Sequence, residues 1–337
     1  MRLAIDVMGG DQGPRAIIEG SAKAVIERPD LELALFGPRQ RITAELLRLP
    51  QPLAAAASRL VAYDAPSVVS QHASAAWALR HGHDTSMAHM LRDVSDGRAM
   101  AGVSAGNTAA LVALARRELG MIAGFSRPAI STAIPTRGGR RCYLLDLGAN
   151  VDSPASRLVD FAVLGAAMAH CVDGVVHPRV ALLNVGAEAT KGSVVVREAN
   201  RLLQERASSL PFAYQGYAEG GDIFQGEIDV MVCDGFVGNV TLKASEGLTR
   251  MLVERVQMAF ESRLCGRLAS VLAKPVLKRL KQELDPVRYN GASLLGLKRI
   301  VVKSHGGTRA DGFYYAIQRA LQEVERDLPM QLAKRWA

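Results

Sequence analysis

The feature that most constrains the fold of this chain is the alternation of short apolar segments with longer helical segments. Strands are predicted at residues 2–8, 31–37, 59–65, 99–104, 129–135, 142–146, 179–184, 213–217, 228–233 and 300–303. Helices are predicted at residues 14–28, 70–96, 107–119, 155–171, 194–205, 239–262 and 310–326, with an interruption near Gly82 in the second of them. This alternation indicates an α/β fold with a mostly parallel, doubly wound sheet, to which the neighbouring strands at 129–146 can add an antiparallel element.

The composition agrees with a buried parallel sheet. Hydrophobic residues make up 49% of the 337 positions and aromatic residues only 5%, so Ala, Val, Leu and Ile must fill the core. No repeat and no Pro/Gly-rich linker marks a domain boundary. The sequence therefore predicts a single α/β catalytic unit over residues 1–337, which can divide into two lobes, with a helical extension at 245–286.

The sequence also bears on the compartment of the protein. No apolar run approaches the roughly 20 residues that span a bilayer. Gly9, Gly10 and Asp11 interrupt the first apolar segment before a signal sequence can form. The four cysteines are far apart, as expected for free thiols in a reducing compartment. These features predict a cytoplasmic protein.

Small polar or glycine-rich loops follow five of the predicted strands. Turn chemistry explains any one such loop, but it does not explain why five of them stand at strand ends. Ligands of doubly wound sheets bind beyond the carboxyl ends of the strands, so we expect these loops to line one cleft. The loops are residues 6–11, 104–108, 184–192, 234–239 and 303–307.

The side chains of these loops form a candidate anion site. His305 is the candidate for proton transfer or oxyanion stabilisation, Lys191 for fixed charge and Asp234 for orienting the cations. A turn role for His305 and a capping role for Asp11 or Asn239 are the structural alternatives. The candidate phosphate- or substrate-binding residues are Asp6, Gly9, Gly10, Asp11, Ser104, Gly106, Asn107, Thr108, Asn184, Asn239, Lys243 and Lys303.

The segment around Ser104 has a second interpretation. Residues 102–106 fit the G-x-S-x-G pattern of a hydrolase nucleophile elbow, and Ser104, Asp234 and His305 follow the chain order of an α/β-hydrolase triad. The same residues also suit a helix start that holds an anion through hydroxyl, amide and backbone N–H groups. The chain lacks the upstream oxyanion loop of such hydrolases, which favours the anion site without excluding the triad.

Nucleotide and metal sites fit the motifs poorly. Met8 replaces the first glycine of G-x-G-x-x-G, and no P-loop pattern occurs. His81 and His83 stand at i,i+2, a spacing that does not share a helix face, and we expect both, with His89, to be solvated. We therefore predict no metal and no cofactor.

A basic helical hairpin is predicted at residues 263–286, in a chain whose net charge is +8. Leucine-rich stripes stand against lysines and arginines on both sides of Pro275. Such helices bind anionic lipid or acidic proteins, although a solvated face over the core or a dimer interface gives the same pattern. No aromatic platform for stacking bases accompanies the charge, which argues against nucleic acid. The residues assigned to this surface are Leu268, Leu272, Lys274, Leu277, Lys278, Arg279 and Lys281.

The motifs together resemble the bacterial phosphate acyltransferases of phospholipid synthesis. The matching segments are AIDVMGGDQGP at 4–14, SAGNTAAL at 104–111, CDGFVGNVTLKASEG at 233–247 and LKRLKQELDPVRYNGASLLGLKRIVVKSHG at 277–306. The resemblance implies an isocitrate-dehydrogenase-like fold related to phosphotransacetylases, and a homodimer. The segments 81–83 and 307–309 depart from the family's pattern.

The resemblance also implies the reaction and its setting. Inorganic phosphate and a long-chain acyl-[acyl carrier protein] give an acyl phosphate, which a membrane acyltransferase uses on glycerol 3-phosphate. Binding of the carrier protein and peripheral contact with the anionic inner face of the cell membrane follow from the same resemblance. The chemistry is undemanding, because a thiolate, whose acid has a pKa of about 8.5, leaves readily and phosphate is itself a nucleophile. A phosphotransacetylase that uses coenzyme A esters and a non-enzymatic lipid- or carrier-binding scaffold remain the alternatives.

Overall fold

Eleven strands form one mixed sheet in this computed structural model, which describes residues 1–261 and 286–335. The strands are β1 (Arg2–Asp6), β2 (Glu32–Gly37), β3 (Leu60–Asp64), β4 (Ala101–Ser104), β5 (Ala129–Pro135), β6 (Arg141–Leu145), β7 (Arg179–Leu183), β8 (Ala213–Ala218), β9 (Val230–Val232), β10 (Ala292–Leu295) and β11 (Ile300–Lys303). Their order in the sheet is β3-β2-β1-β4-β11-β10-β5-β6-β9-β7-β8. Among the strands of the described residues, β10 alone was not predicted from the sequence.

Helices cover the sheet and connect its strands. They are α1 (Gly13–Glu27), α2 (Arg39–Leu47), α3 (Gln51–Ala54), α4 (Ala75–His81), α5 (Ser86–Ser95), α6 (Thr108–Leu119), α7 (Ala155–Asp173), α8 (Val194–Glu205), α9 (Gly235–Glu261), α10 (Ala310–Glu325) and α11 (Leu328–Arg335). The interruption predicted near Gly82 in the 70–96 stretch is confirmed, because a 3-10 turn at Gly82–Asp84 separates α4 from α5.

The two halves of the sheet run in opposite directions. Strands β2, β3, β4 and β11 continue the parallel arrangement that begins at β1. Strands β7, β8 and β9 are parallel with β6 instead. The β5–β6 hairpin is antiparallel, as expected for residues 129–146, and β10 is antiparallel to both of its neighbours. The carboxyl ends of β1, β4 and β11 therefore lie at one edge of the sheet, and those of β6, β7 and β9 at the other.

Apolar side chains fill both faces of the sheet. In the first half, Leu3 and Ile5 of β1 pack with Phe313 of α10 on one face, while Ala4 joins α5 and α6 residues on the other. The alternation follows from the period of two along a strand. In the second half, Leu145 and Val230 pack against buried residues of α7.

Helix α7, with 19 residues, is long and apolar enough to cross a membrane by length and composition alone. The expectation that no apolar run approaches that length is therefore wrong. Leu158, Phe161 and Leu164 of this helix are buried in the core against the sheet. Such burial is typical of the central helix of an α/β protein.

The predicted hairpin lies outside the described residues except for Pro286, and so do all seven residues assigned to the membrane or carrier surface. Of the predicted 245–286 extension, the structure describes the C-terminal part of α9. That helix exposes a series of large apolar side chains: Phe236, Val237, Val240, Leu248, Met251, Leu252, Val256 and Met258.

Candidate active site

A buried carboxylate closes the end of β1. Asp6 accepts hydrogen bonds from the hydroxyls of Ser104 and Ser86, each at 2.7 Å, one on each carboxylate oxygen. Burial raises the pKa of Asp6, and the bonds from the two serines act in the opposite direction. Ser86 was not predicted as a site residue. It begins α5, and Thr85 caps that helix by accepting from the N–H of Ala88.

The Ser104 hydroxyl is committed to internal hydrogen bonds. It donates to Asp6 Oδ2 and accepts from the Gly106 N–H at 3.0 Å, and the side chain is 0% exposed. A nucleophile must reach its substrate, which this fully buried hydroxyl does not, so the nucleophile elbow is wrong for this geometry. The expectation that Ser104 donates to phosphate is corrected for the same reason.

Three loops meet above this carboxylate. The Asp11 N–H donates to the Gly306 carbonyl at 2.7 Å, and the Ser304 N–H donates to the Ser104 carbonyl at 2.8 Å. A Cβ added at Gly9 would lie 2.4 Å from the Gly106 nitrogen, so only glycine permits this approach. Ten residues that the sequence assigned to the site stand in these three loops: Asp6, Gly9, Gly10, Asp11, Ser104, Gly106, Asn107, Thr108, Lys303 and His305.

Lys303, the last residue of β11, brings a cation to this junction. Its ammonium donates to the Ala105 carbonyl at 3.4 Å and to the Ser304 carbonyl, while the side chain is only 9% exposed. Burial lowers the pKa of Lys303 to about 8, against the opposing charges of Asp11 and Asp6. An ammonium has three donors, so one N–H remains for a ligand. Lys303 is thus a buried cation beside the loops predicted to hold an anion.

His305 has an exposed side chain two residues further along. Its Nδ1 accepts from the Gly307 N–H at 3.2 Å. A backbone N–H can only donate, so in the neutral ring this bond assigns the proton to Nε2. Neutral His305 therefore offers an N–H donor to a substrate and has no free nitrogen to act as a base.

Asn107 has a structural role at the start of α6. Its Oδ1 accepts from the Ala110 N–H at 3.0 Å, which caps the helix. Its Nδ2 donates to the Gln71 and Ala73 carbonyls, both at 2.8 Å, and to Ser70 at 3.3 Å. The amide is fully used, so the expectation that it binds phosphate is corrected. Within the described chain, the N–H groups of Thr108 and Ala109 remain without an acceptor.

The other predicted residues lie beyond the opposite edge of the sheet, because β7 and β9 run the other way. Asp234 accepts from the Val237 N–H at 2.8 Å and caps α9, where Asn239 and the exposed Lys243 also lie. Asn184 donates to the Gly186 and Lys191 carbonyls and so closes its own loop. Lys191 pairs with Glu188 at 2.8 Å. The expectation that five loops line one cleft is therefore wrong within a single chain, and the alternative triad of Ser104, Asp234 and His305 is excluded for the same reason.

Comparison with known proteins identifies the family. A family model described as "Fatty acid synthesis protein" matches residues 1–331. A phosphate acyltransferase from Stutzerimonas stutzeri is 50% identical over 99% of this chain and 91% of its own length. One from Pseudomonas syringae pv. syringae is 49% identical over 99% of this chain and 96% of its own. The chain belongs to the phosphate acyltransferase family. It is an acyltransferase of fatty acid and phospholipid synthesis.

Solved structures share the fold of this phosphate acyltransferase. A phosphotransacetylase from Streptococcus pyogenes superposes with a TM-score of 0.62, at 18% identity, over 96% of this chain and 94% of the other. A phosphotransacetylase from Staphylococcus aureus gives a TM-score of 0.58 at 16% identity, over 97% and 94% of the two chains. The phosphotransacetylase-like α/β architecture is therefore confirmed.

The loop after β6 is a further polar cluster that the sequence analysis missed. Asp146 accepts from the N–H groups of Ile130, Leu147 and Asn150 at 2.8, 2.7 and 2.6 Å. Burial raises the pKa of Asp146, and the bonds from Ile130 and Asn150 oppose the rise. The signal available in the sequence was only the polar segment after a predicted strand. The Gly235 N–H donates to the Asn150 carbonyl at 2.8 Å, which joins this loop to the start of α9.

The histidines of the 81–89 segment have ordinary partners. His89 Nε2 lies 2.8 Å from Asp84 Oδ1, and His81 Nδ1 lies 3.3 Å from the Trp77 carbonyl. Among the described residues, no group of three or more His, Cys, Asp or Glu side chains is arranged to hold a metal ion.

Proposed function

We propose that this phosphate acyltransferase makes a long-chain acyl phosphate from inorganic phosphate and an acyl-[acyl carrier protein]. The proposed site is the junction of the loops that follow β1, β4 and β11. The observation that carries this assignment is the buried Lys303 ammonium within these hydrogen-bonded loops. Two residues later stands His305, whose Nε2 is an N–H donor in the neutral ring. No cofactor takes part in the proposed reaction.

Phosphate binding is the first step of the proposed mechanism. The remaining N–H of Lys303 and the open N–H groups of Thr108 and Ala109 at the start of α6 would bind the anion. The helix end contributes about 0.3–1 kcal/mol of preference for negative charge. In this proposal Asp6 fixes the hydroxyls of Ser86 and Ser104 and does not contact phosphate, since two like charges repel.

Acyl transfer then needs no protein nucleophile. A phosphate oxygen attacks the thioester carbon and forms a new C–O bond, and the carbonyl oxygen becomes an oxyanion. The C=O bond then re-forms as the C–S bond breaks, and the new C–O bond remains in the acyl phosphate. The phosphate proton ends on the departing thiol, so monohydrogen phosphate and thioester give acyl phosphate and thiol. His305 Nε2–H would donate to the oxyanion, a form of stabilisation worth about 2.7–4 kcal/mol per donor in acyl transfer.

A homodimer is part of the proposal. The exposed apolar side chains of α9, including Phe236 at 64% and Leu248 at 54%, support an interface with a second chain. A second chain is also what Lys191 and Asp234 would need to act in the same reaction as His305, because the two groups of loops leave opposite edges of the sheet. Their catalytic roles stay predictions that depend on this dimer.

Membrane contact and carrier-protein docking also belong to the proposal. The support is the sequence of the 263–286 hairpin, with cations beside apolar stripes, together with the family. We propose a cytoplasmic enzyme that touches the anionic inner face of the cell membrane and delivers its product to a membrane glycerol-3-phosphate acyltransferase.

The deciding experiment follows consumption of a long-chain acyl-carrier thioester with and without phosphate. The proposal expects phosphate-dependent release of the free carrier thiol and one acyl phosphate per thiol. A preference for coenzyme A esters would instead indicate a phosphotransacetylase. Absence of phosphate-dependent turnover with either thioester would leave only a scaffold role.

The dimer is tested by mixing two weakened variants. Lys303→Met and Lys191→Met chains, co-expressed and purified as the mixed dimer, leave one of the two composite sites intact if the partner chain supplies Lys191. We expect the mixed dimer to be more active than either homodimer. Lack of such a gain would place both lysines outside a shared composite site.

Membrane contact is tested by sedimentation with vesicles. The full chain should bind vesicles of anionic lipid, and replacing Lys274, Lys278, Arg279 and Lys281 with glutamine should reduce that binding. Equal binding to neutral vesicles would contradict the electrostatic part of the proposal.

A further inference from the structure

Asn290 joins three parts of the proposed site through one side chain. It stands just before β10, and its Oδ1 accepts from the His305 N–H at 2.9 Å. Its Nδ2 donates to Ser304 Oγ at 2.8 Å, to the Gly312 carbonyl at 2.7 Å and to Thr308 Oγ1 at 3.2 Å. The amide thus contacts both ends of the 304–308 turn and the first turn of α10.

The turn it holds has few other restraints. Residues 304–309 belong to no strand or helix, and His305 and Gly307 are exposed. The other hydrogen bonds of this turn include those from the Ser304 N–H to the Ser104 carbonyl and from the Thr308 N–H to the His305 carbonyl, the latter at 3.1 Å. The His305 backbone N–H itself is held by Asn290 alone within the described chain. The position of the His305 backbone relative to the Lys303 ammonium therefore depends on this amide, while the Gly307 N–H holds the imidazole through Nδ1.

We propose that Asn290 is a positioning residue that sets His305 against the bound phosphate and the developing oxyanion. This inference rests on the proposed function, because it assigns a purpose to the geometry of the His305 loop. Asn290 itself contacts no substrate. Its effect passes through the backbone of His305 and the hydroxyls of Ser304 and Thr308.

The chemistry of the amide predicts a graded series of variants. Alanine removes all of the hydrogen bonds. Aspartate keeps an acceptor for the His305 N–H, but it presents a carboxylate oxygen to the Gly312 carbonyl, which cannot donate in return. The hydroxyls of Ser304 and Thr308 can rotate to donate to aspartate. We therefore expect N290D to retain more activity than N290A.

The test is a double-mutant cycle with His305 in steady-state turnover of acyl-carrier thioester. N290A should lower kcat by about 10- to 100-fold, the scale of a misplacement near 1 Å, with less than a threefold change in KM for phosphate. In an H305A background, the same N290A change should cost less than threefold, because there is no imidazole left to position. N290D should fall between the parent enzyme and N290A.

A matched control separates positioning from loss of stability. Asn200 of α8 accepts from the Tyr214 hydroxyl at 2.6 Å, so its side chain also fixes a tertiary contact. N200A should lower Tm and leave kcat unchanged. If N290A folds poorly, the cycle is run with N290D, for which the same non-additivity is expected.

Two outcomes overturn the inference without touching the proposed function. One is parent-like kcat in N290A, and the other is a loss that multiplies fully with that of H305A. If the parent enzyme itself shows no phosphate-dependent turnover, the proposed function fails instead. The two failures are therefore distinguishable in one set of assays.

Discussion

The ionisation of Lys303 should control how well the enzyme uses phosphate at alkaline pH. Burial lowers the pKa of this ammonium to about 8, so the group is charged at neutral pH and loses its proton as pH rises through that value. Phosphate is already a dianion at the alkaline pH values where Lys303 loses its proton, so its own charge is constant there and the alkaline limb reports the lysine. The pH dependence of kcat/KM for phosphate reports the free enzyme and thus this group.

The size of the effect follows from the fraction of protonated Lys303. Well above its pKa that fraction falls by a factor of about ten for each pH unit, and kcat/KM for phosphate should fall about eightfold between pH 8.5 and 9.5. Removing the charge altogether, as in Lys303→Met, should cost about 10- to 150-fold at pH 7. That range corresponds to about 1.5–3 kcal/mol for a hydrogen bond from a charged group.

The assay measures thiol release from acyl-carrier thioester at several phosphate concentrations from pH 6.5 to 9.5, corrected for hydrolysis without enzyme. Lys303→Arg keeps its charge throughout this range and should lose the alkaline decline, although its bulk in a buried place will lower the plateau. A parent profile that stays flat to pH 9.5 would refute the reasoning. So would a decline that persists unchanged in the arginine variant.

Three further perturbations follow from the site geometry. Ser104→Ala leaves the buried Asp6 carboxylate and the Gly106 N–H each short of a partner, so the free energy of unfolding in denaturant should fall by about 1–3 kcal/mol while some turnover remains. An acyl-serine trapped in the parent enzyme and seen by mass spectrometry would contradict this role. Gly9→Ala places a Cβ 2.4 Å from the Gly106 nitrogen and should raise KM for phosphate at least tenfold. Gly247→Ala, in open space on α9, should raise Tm slightly and leave KM unchanged, and equal KM values for the two variants would refute the close-packing argument. Asn107→Ala removes the cap of α6 and the hydrogen bonds that hold residues 70–73, so we expect the free energy of unfolding to fall by about 1–2 kcal/mol and proteolysis near Gln71 to be faster. Cleavage at the parent rate would contradict the second expectation.

Most of the strands and helices could be predicted from periodicity because each is an apolar run bounded by turn residues. Strand β10 was missed, since Ala292 and Ser293 are small and Gly291 and Gly296 flank a run of only four residues. The antiparallel β5–β6 pair was expected, but the reversal of the strands that follow it was not. One hairpin reverses every strand beyond it, and this carries Asp234 and Lys191 to the far edge.

The candidate site was predicted where the chemistry is local to a strand end and missed where it comes from a distant segment. Asp6, Ser104, Lys303 and their neighbouring glycines were expected together, and the parallel strands β1, β4 and β11 bring them together. The roles of Ser104 and Asn107 were not predictable, because a side chain's partners depend on tertiary contacts. Asn290 gave no signal, since an Asn-Gly pair by itself indicates only a turn.

The position of β11 bears on how this enzyme is made. The first four strands and the strands β5 to β9 can form two separate sheets, and the β10–β11 hairpin, from the last part of the chain, fits between β4 and β5. During synthesis the ribosome therefore releases both half-sheets with open inner edges before the segment that joins them appears. Pairings so distant in sequence form slowly, and exposed strand edges aggregate. Chain termination ahead of residue 300 would thus leave an aggregation-prone fragment that also lacks Lys303.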